Sequence, residues 1–309
     1  MQLIAILLIT VSVLTFLSGL AVFLGARKGD RVRSAWFFLA TIFATIWTDS
    51  IALFLIATNN WNGVLNLIVD FTFISAIFID IALLGYISWY KKYGKGATLT
   101  FLVLGLIFAG VFIAKPNLIY TEIIFSSSGN SLVTNLSPFF FTYIAFYFAL
   151  VPAVMITLLK QIIRAKSKRV RGGDLTLLIG FAFSGTAALI FNLILPLWTW
   201  YFIWLGPFAI SATILAFYYT ILRYRVLELN SRWLKILSYI VLITSAAVLY
   251  MIVFYIVFIA MFKGSSPSLE VIILNFIMVL FFLLLMPAMN ELTAFVRSLI
   301  TDQEEEKDR

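Results

Sequence analysis

The chain has 309 residues, 63% of them hydrophobic and only 12% charged, with a mean hydropathy of +1.06. A soluble domain of this length needs far more polar surface, so the composition is that of an integral membrane protein. The formal net charge is +8, and histidine and cysteine are both absent. That excludes disulfides, thiolate chemistry, imidazole metal ligation, Ser-His-Asp or Cys-His catalysis and a phosphoacceptor histidine. Sensing, transport and scaffolding remain, and no cofactor is expected.

A membrane-spanning helix needs about 20 mostly apolar residues. Apolar runs of that length predict an all-α, polytopic helix bundle with nine spans, near 3–25, 35–57, 64–89, 97–114, 138–159, 175–195, 199–222, 236–262 and 270–289. Only Pro196-Leu197-Trp198 separates the sixth from the seventh. One helix over 175–222 would be about twice the length needed, so a tight hairpin is expected there. The first span precedes Arg27, Lys28, Arg31 and Arg33 rather than following basic residues. That is the reverse of a signal peptide, and the span is expected to remain in the mature protein.

Nine spans place alternate loops on one side, and 20 of the 22 Lys and Arg residues fall on one side, leaving Lys115 and Lys263 on the other. The positive-inside rule then puts the N-terminus outside and the C-terminus inside a plasma (inner) membrane. This topology, with attraction to anionic lipid, accounts for the net charge without nucleic acid as a partner. Trp61, Trp198, Trp200 and Trp204 fall near expected outer ends, and Trp36, Trp89 and Trp233 near inner ends, as an aromatic belt requires.

The expected outer loop 115–137 carries strand-like runs, Leu118 to Phe125 and Ser131 to Thr134, around Ser126-Ser127-Ser128-Gly129-Asn130. That pattern predicts a β-hairpin, read either as a lid over the bundle or as a plain connection. Pro152, Pro207 and Pro287 fall within expected spans five, seven and nine, where a proline bends a helix as a hinge or a static kink. Beyond the last span, Leu292, Phe295, Val296 and Leu299 share one helical face. The charged run Asp302 to Arg309 follows, read as a tail or as the first turns of a signalling helix. The expected units are therefore 1–229, a seven-helix sensor; 230–290, two further spans; and 291–309, an amphipathic cytoplasmic segment.

Ionisable side chains in mid-bilayer are expensive and point to function. Asp49 in span two, and Asp70 and Asp80 in span three, are the charged candidates. Asn66, Asn192 and Asn275 join Asp49 and Asp70 in the expected outer halves, which suggests a polar pocket opening outward. Asp80 is ten residues beyond Asp70, about 15 Å deeper and roughly 80° around the helix, and is assigned to a second, inward network. The alternative is that these carboxylates hydrogen-bond to neighbouring helices and fix packing. No lysine lies in mid-span, which removes a retinal Schiff base.

At Ala216 to Leu229, reading AFYYTILRYRVLEL, the chain resembles the histidine kinase N-terminal seven-helix region family, whose seventh helix ends in a similar aromatic-Ala-Ile-Leu-Arg-Tyr-Arg pattern. Val226 and Glu228-Leu229 depart mildly from it. The two further spans and the amphipathic segment resemble those of pheromone-sensing receptor kinases within that family. The resemblance implies an outward-facing sensor that relays a conformational change to a cytoplasmic output, with Arg223, Tyr224 and Arg225 as interface anchors of helix seven. Within the 309 residues there is no phosphoacceptor histidine and no ATP-binding domain, so the chain is not expected to be an enzyme by itself.

The leading reading is thus a sensory module for an unknown small-molecule or peptide ligand. Its expected partners are the lipid bilayer, a cytoplasmic signalling protein and a second copy in a homodimer. Asp49, Asp70, Asn192, Asn66, Asn275 and Asp80 are the ligand candidates. Pro207, Arg223, Tyr224, Arg225, Leu292, Phe295, Val296 and Leu299 are the relay candidates. The rival is a proton- or cation-coupled transporter or channel, against which stands the lack of an inverted repeat; a lipid-modifying enzyme is the weakest, having no histidine and scattered carboxylates. Asp70→Asn should change the signalling dose-response without changing membrane insertion, and an unchanged dose-response would remove Asp70 from the site.

Overall fold

The computed structural model describes residues 2–57, 62–91, 95–115, 118–125, 131–165, 167–197 and 202–224, together with Thr244 and Tyr250. All elements below belong to the first of two units, Met1–Leu242; of the second, Ile243–Arg309, only Thr244 and Tyr250 are described. Apart from Thr244 and Tyr250, expected spans eight and nine lie outside the described residues, as do Asn275, Arg225, Pro287, the Leu292, Phe295, Val296 and Leu299 face, and Trp61, Trp198, Trp200 and Trp233.

In chain order the elements are α1 (Gln2–Gly25), α2 (Arg31–Ile56), α3 (Asn62–Lys91), α4 (Lys95–Ala114), β1 (Tyr120–Phe125), β2 (Ser131–Leu136), α5 (Phe139–Arg164), α6 (Lys168–Ala188) and α7 (Leu205–Tyr224). Past α6 the chain continues as a π-helical segment, Leu189–Ile194, and a 3-10 turn, Leu195–Leu197. Six of the described helices are long and apolar enough to cross a membrane, and the apolar stretch of α7, Leu205–Ile221, is shorter.

Helix ends differ from the apolar windows in an instructive way. α2 starts at Arg31 rather than 35, and α6 at Lys168 rather than 175. Hydropathy reports bilayer thickness, whereas a helix continues through charged residues of good propensity such as Arg and Lys. The expected break near Pro196 is present. However, α7 begins only at Leu205, after turn hydrogen bonds from Leu205 to Phe202 and from Gly206 to Ile203. Pro207 therefore occupies the first turn of α7, where its missing N–H removes no intrahelical bond. The mid-span kink expected of it does not arise there. Pro152 does lie inside a helix, α5.

α3 is the central helix: 78% of its apolar window is buried inside the protein, against 17% for α4. Small residues explain how neighbours approach it. A Cβ built on Gly85 would overlap the Trp36 ring of α2, and one on Gly105 of α4 would overlap Ile81. α3 packs on α2, α4 and α5, while α7 packs on α6, α1 and α2 and so joins the end of the helical series to its beginning. Phe37, Tyr86 and Phe217 form a cluster across α2, α3 and α7 with ring centroids 5.4 to 6.5 Å apart. Arg33 stands over Tyr86, 4.3 Å from the ring centroid, and is only 6% exposed. The sequence reading had assigned Arg33 to a basic loop; the longer α2 carries it into the bundle instead.

Several hydroxyls and amides cross between helices. Thr45 donates to the Ser12 carbonyl at 3.2 Å, Thr98 to Ser88 at 3.0 Å, Gln161 to the Ile87 carbonyl at 2.8 Å and Thr213 to the Gly180 carbonyl at 2.8 Å. Such bonds contribute about 0.6 kcal/mol each on average in membrane bundles, so they select pairing more than they supply stability.

The loop between α4 and α5 forms an antiparallel hairpin, pairing Tyr120 with Leu136, Ile123 with Val133 and Phe125 with Ser131, with irregular register around Glu122. β2 runs two residues further than the strand-like pattern. The hairpin is tied to the bundle at its base: Tyr120 donates to the Asn66 carbonyl at 3.1 Å, and the Ser137 N–H donates to the Ile119 carbonyl at 2.8 Å.

A Cβ on Gly19 would overlap the Thr41 side chain at the α1–α2 contact, whereas Gly110 faces open space. Gly19→Val should lower the thermal unfolding midpoint of the solubilised protein by the equivalent of about 1–3 kcal/mol, and Gly110→Ala, in the open interior of α4, should keep it or raise it by up to about 1 kcal/mol.

Candidate functional site

Between α2, α3, α5, α6 and α7 lies a cavity of about 50 Å³. One water needs roughly 10–15 Å³, so there is room for a few, but the space is far below the ~300–1,000 Å³ of a drug-sized pocket. Its walls are mostly apolar, and the described residues that bring polar groups to it are Trp47 of α2 with its indole N–H, Thr72 and Asp80 of α3, Tyr143 and Tyr147 of α5, Ser184 of α6 and Asn192 of the π-helical segment.

The hydroxyls are all engaged in a common sense. Thr72 donates to the Ile68 carbonyl at 2.8 Å, Ser184 to the Phe181 carbonyl at 3.3 Å and Tyr143 to the Phe73 carbonyl at 3.2 Å. Tyr147 is hydrogen-bonded to Tyr143. Because the Tyr143 proton is committed to Phe73, Tyr147 is the donor in that pair. Asp80, 8% exposed, interacts electrostatically with both phenols.

Asn192 sits where the backbone widens. The Leu195 N–H bonds to the Ile190 carbonyl five residues back, the π-helical pattern, which recurs at functional sites. Both amide atoms of Asn192 are sealed from solvent and have no hydrogen-bond partner. Its amide also fills the space beside Gly206, where a Cβ would overlap it. An unsatisfied buried polar atom costs about 1–3 kcal/mol, so this amide is held there against its own solvation preference.

The structure thus brings Asp80 and Asn192, which the sequence reading had assigned to separate networks, to one cavity. Asp49 and Asp70 are not among its walls. Asp49 is hydrogen-bonded to Ser12 of α1, and its Oδ1 is buried without a partner. Asp70, 6% exposed, interacts with Tyr120 at the hairpin base; burial first, and then that carboxylate, push the Tyr120 phenol above its ordinary value. Asn66 contributes its backbone carbonyl to the same tyrosine. Arg223 and Tyr224 are the last two residues of α7. Thr72, Ser184 and the Tyr143/Tyr147 pair are not among the residues that the sequence singles out, whereas Gly206-Pro207 is compatible with the family resemblance. The i, i+4 spacing of the two tyrosines was the one available signal.

Seven described helices, six of them of spanning length, and polar groups gathered in their interior define a multi-pass membrane protein. The chain belongs to the family described as the N-terminal 7TM region of histidine kinase, which matches residues 6–230. The match is to the membrane region and not to a kinase domain. No curated protein matches the chain significantly.

Asn192→Leu, which removes two unsatisfied atoms, should stabilise the isolated protein by about 1–3 kcal/mol, seen as a higher thermal midpoint. Gly206→Ala should lower it by displacing the Asn192 amide. The opposite sign for Asn192→Leu would mean that the amide has a partner in the resting protein.

Proposed function

We propose that this chain is the sensory part of a signal-transduction protein, receiving a ligand among its helices and passing a conformational change to a cytoplasmic output domain or partner. The observation that carries this reading is Asn192: a doubly unsatisfied amide on a π-helical turn, facing an interior cavity, in a chain of the histidine kinase 7TM region family. An amide in that state offers a donor and an acceptor to an incoming group. α7, beginning beside it at Gly206 and ending at Tyr224, is the direct route from that turn to the far end of the bundle.

In this reading the hairpin is on the outer side with Asn66 and Asp70, and the charged turns between α1 and α2, α3 and α4, and α5 and α6 face the cytoplasm. The nine-span arrangement, with the N-terminus outside and the relay continuing through Leu292 to Leu299, belongs to the same proposal. The cavity is too small for a large ligand as it stands, so binding requires the bundle to open around Asn192, which is the kind of two-state change a sensor needs.

The absence of cysteine allows single-cysteine labelling without background. A cysteine at Leu197 should react with a membrane-impermeant maleimide in intact cells, and one at Ile163 only after permeabilisation. Native mass spectrometry of the protein in nanodiscs, after exposure to a metabolite extract, should reveal a bound small molecule that Asn192→Leu loses. Substrate uptake into proteoliposomes driven by a pH gradient, with no bound ligand, would replace this reading with transport.

A further inference from the structure

Apart from the Trp47 indole and the Asn192 amide, the described polar side chains that line the cavity are oxygen acceptors. Thr72, Tyr143, Tyr147 and Ser184 each give their proton to a protein acceptor. Each of these oxygens therefore keeps lone pairs free to accept. Among the described lining residues Asp80 adds the one formally charged side chain, and none is a Lys or Arg. Among the described residues, a lining that offers acceptors and one carboxylate with no Lys or Arg beside them lacks the positive charge that would balance it.

We propose that this lining binds a small monovalent cation, held by the Asp80 carboxylate and by the oxygens of Tyr147 and Ser184. Three properties select this class. The acceptors are all oxygen, which suits hard cations. A single carboxylate neutralises one positive charge, whereas a divalent ion would leave a net charge buried in low dielectric. The volume of about 50 Å³ admits an ion with a few waters and excludes most organic amines. Thr72 is two turns from Asp80, about 12 Å along α3, so it serves the ion's water shell rather than the ion.

The site joins α3, α5 and α6, and occupancy would clamp them together. It stands apart from the Asn192 reading, which concerns the π-helical turn, and either one fails without the other. The test uses the full chain in nanodiscs, with Na+ as the probe and N-methyl-D-glucamine replacing it at constant ionic strength. The thermal midpoint should rise with Na+ and saturate, as mass action requires of a ligand that binds the folded state. Asp80→Asn should raise the half-saturating Na+ concentration by about tenfold or more, and Ser184→Val and Tyr147→Phe by about threefold or more each, taking roughly tenfold per 1.4 kcal/mol. If Asp80→Asn does not fold, the other two variants decide. A midpoint indifferent to the choice of cation, or a Na+ response unchanged in all the variants that fold, overturns the proposal. A response to pH alone assigns a proton to Asp80 and overturns it equally.

Discussion

A helix in lipid has no water with which to satisfy its polar side chains, so each must find a partner inside the protein. This bundle meets that constraint mostly within single helices. Ser18, Thr41, Thr157, Ser211 and Thr220 donate to carbonyls three or four residues back. Polar residues are thereby carried on apolar helices without fixing their neighbours. Other bonds reach across, such as Tyr143 to Phe73 and Gln161 to Ile87, and these hold α5 against the central helix. Carboxylates and the Asn192 amide cannot be satisfied by a local carbonyl, because a carboxylate accepts only and an amide has two ends.

The end of α6 shows how such a residue is accommodated. A regular α-helix through 189–194 would orient Asn192 differently; the π-helical segment inserts a wider turn. Gly206 then lets α7 approach the amide closely. The two features depend on each other, because a side chain at 206 would evict the amide that the wide turn presents. α7 is also the helix that closes the bundle against α1 and α2. A change at Asn192 is therefore placed at the start of an element in contact with both the first and the last parts of the bundle.

Membership of the histidine kinase 7TM region family gives this geometry its context. A sensor needs a polar feature in a membrane interior that is tolerated in one state and satisfied in another. Asp80 and the unsatisfied amide of Asn192 both belong to residues that line one cavity, and the proposals above rest on them.

Much of this was determined by the sequence itself. Apolar runs bounded by basic turns dictate the helices, since only a helix satisfies its own backbone in lipid. The run around Pro196 was too long for one span and separates into two elements, and alternating strand-formers around Ser126 to Asn130 form the hairpin. The motif ending at Leu229 marked the family. Tertiary structure alone decided the rest. Hydropathy has no term for helix ends, so Arg33 proved to be buried and Pro207 to start a helix. Nor does it register depth across different helices. Asp80 and Asn192, on α3 and past the end of α6, share a cavity because the packing of five helices brings them to it, whereas Asp70, nearer to Asp80 in the chain, turns toward Tyr120. The direction of a side chain around its helix axis has meaning only once the neighbours are in place.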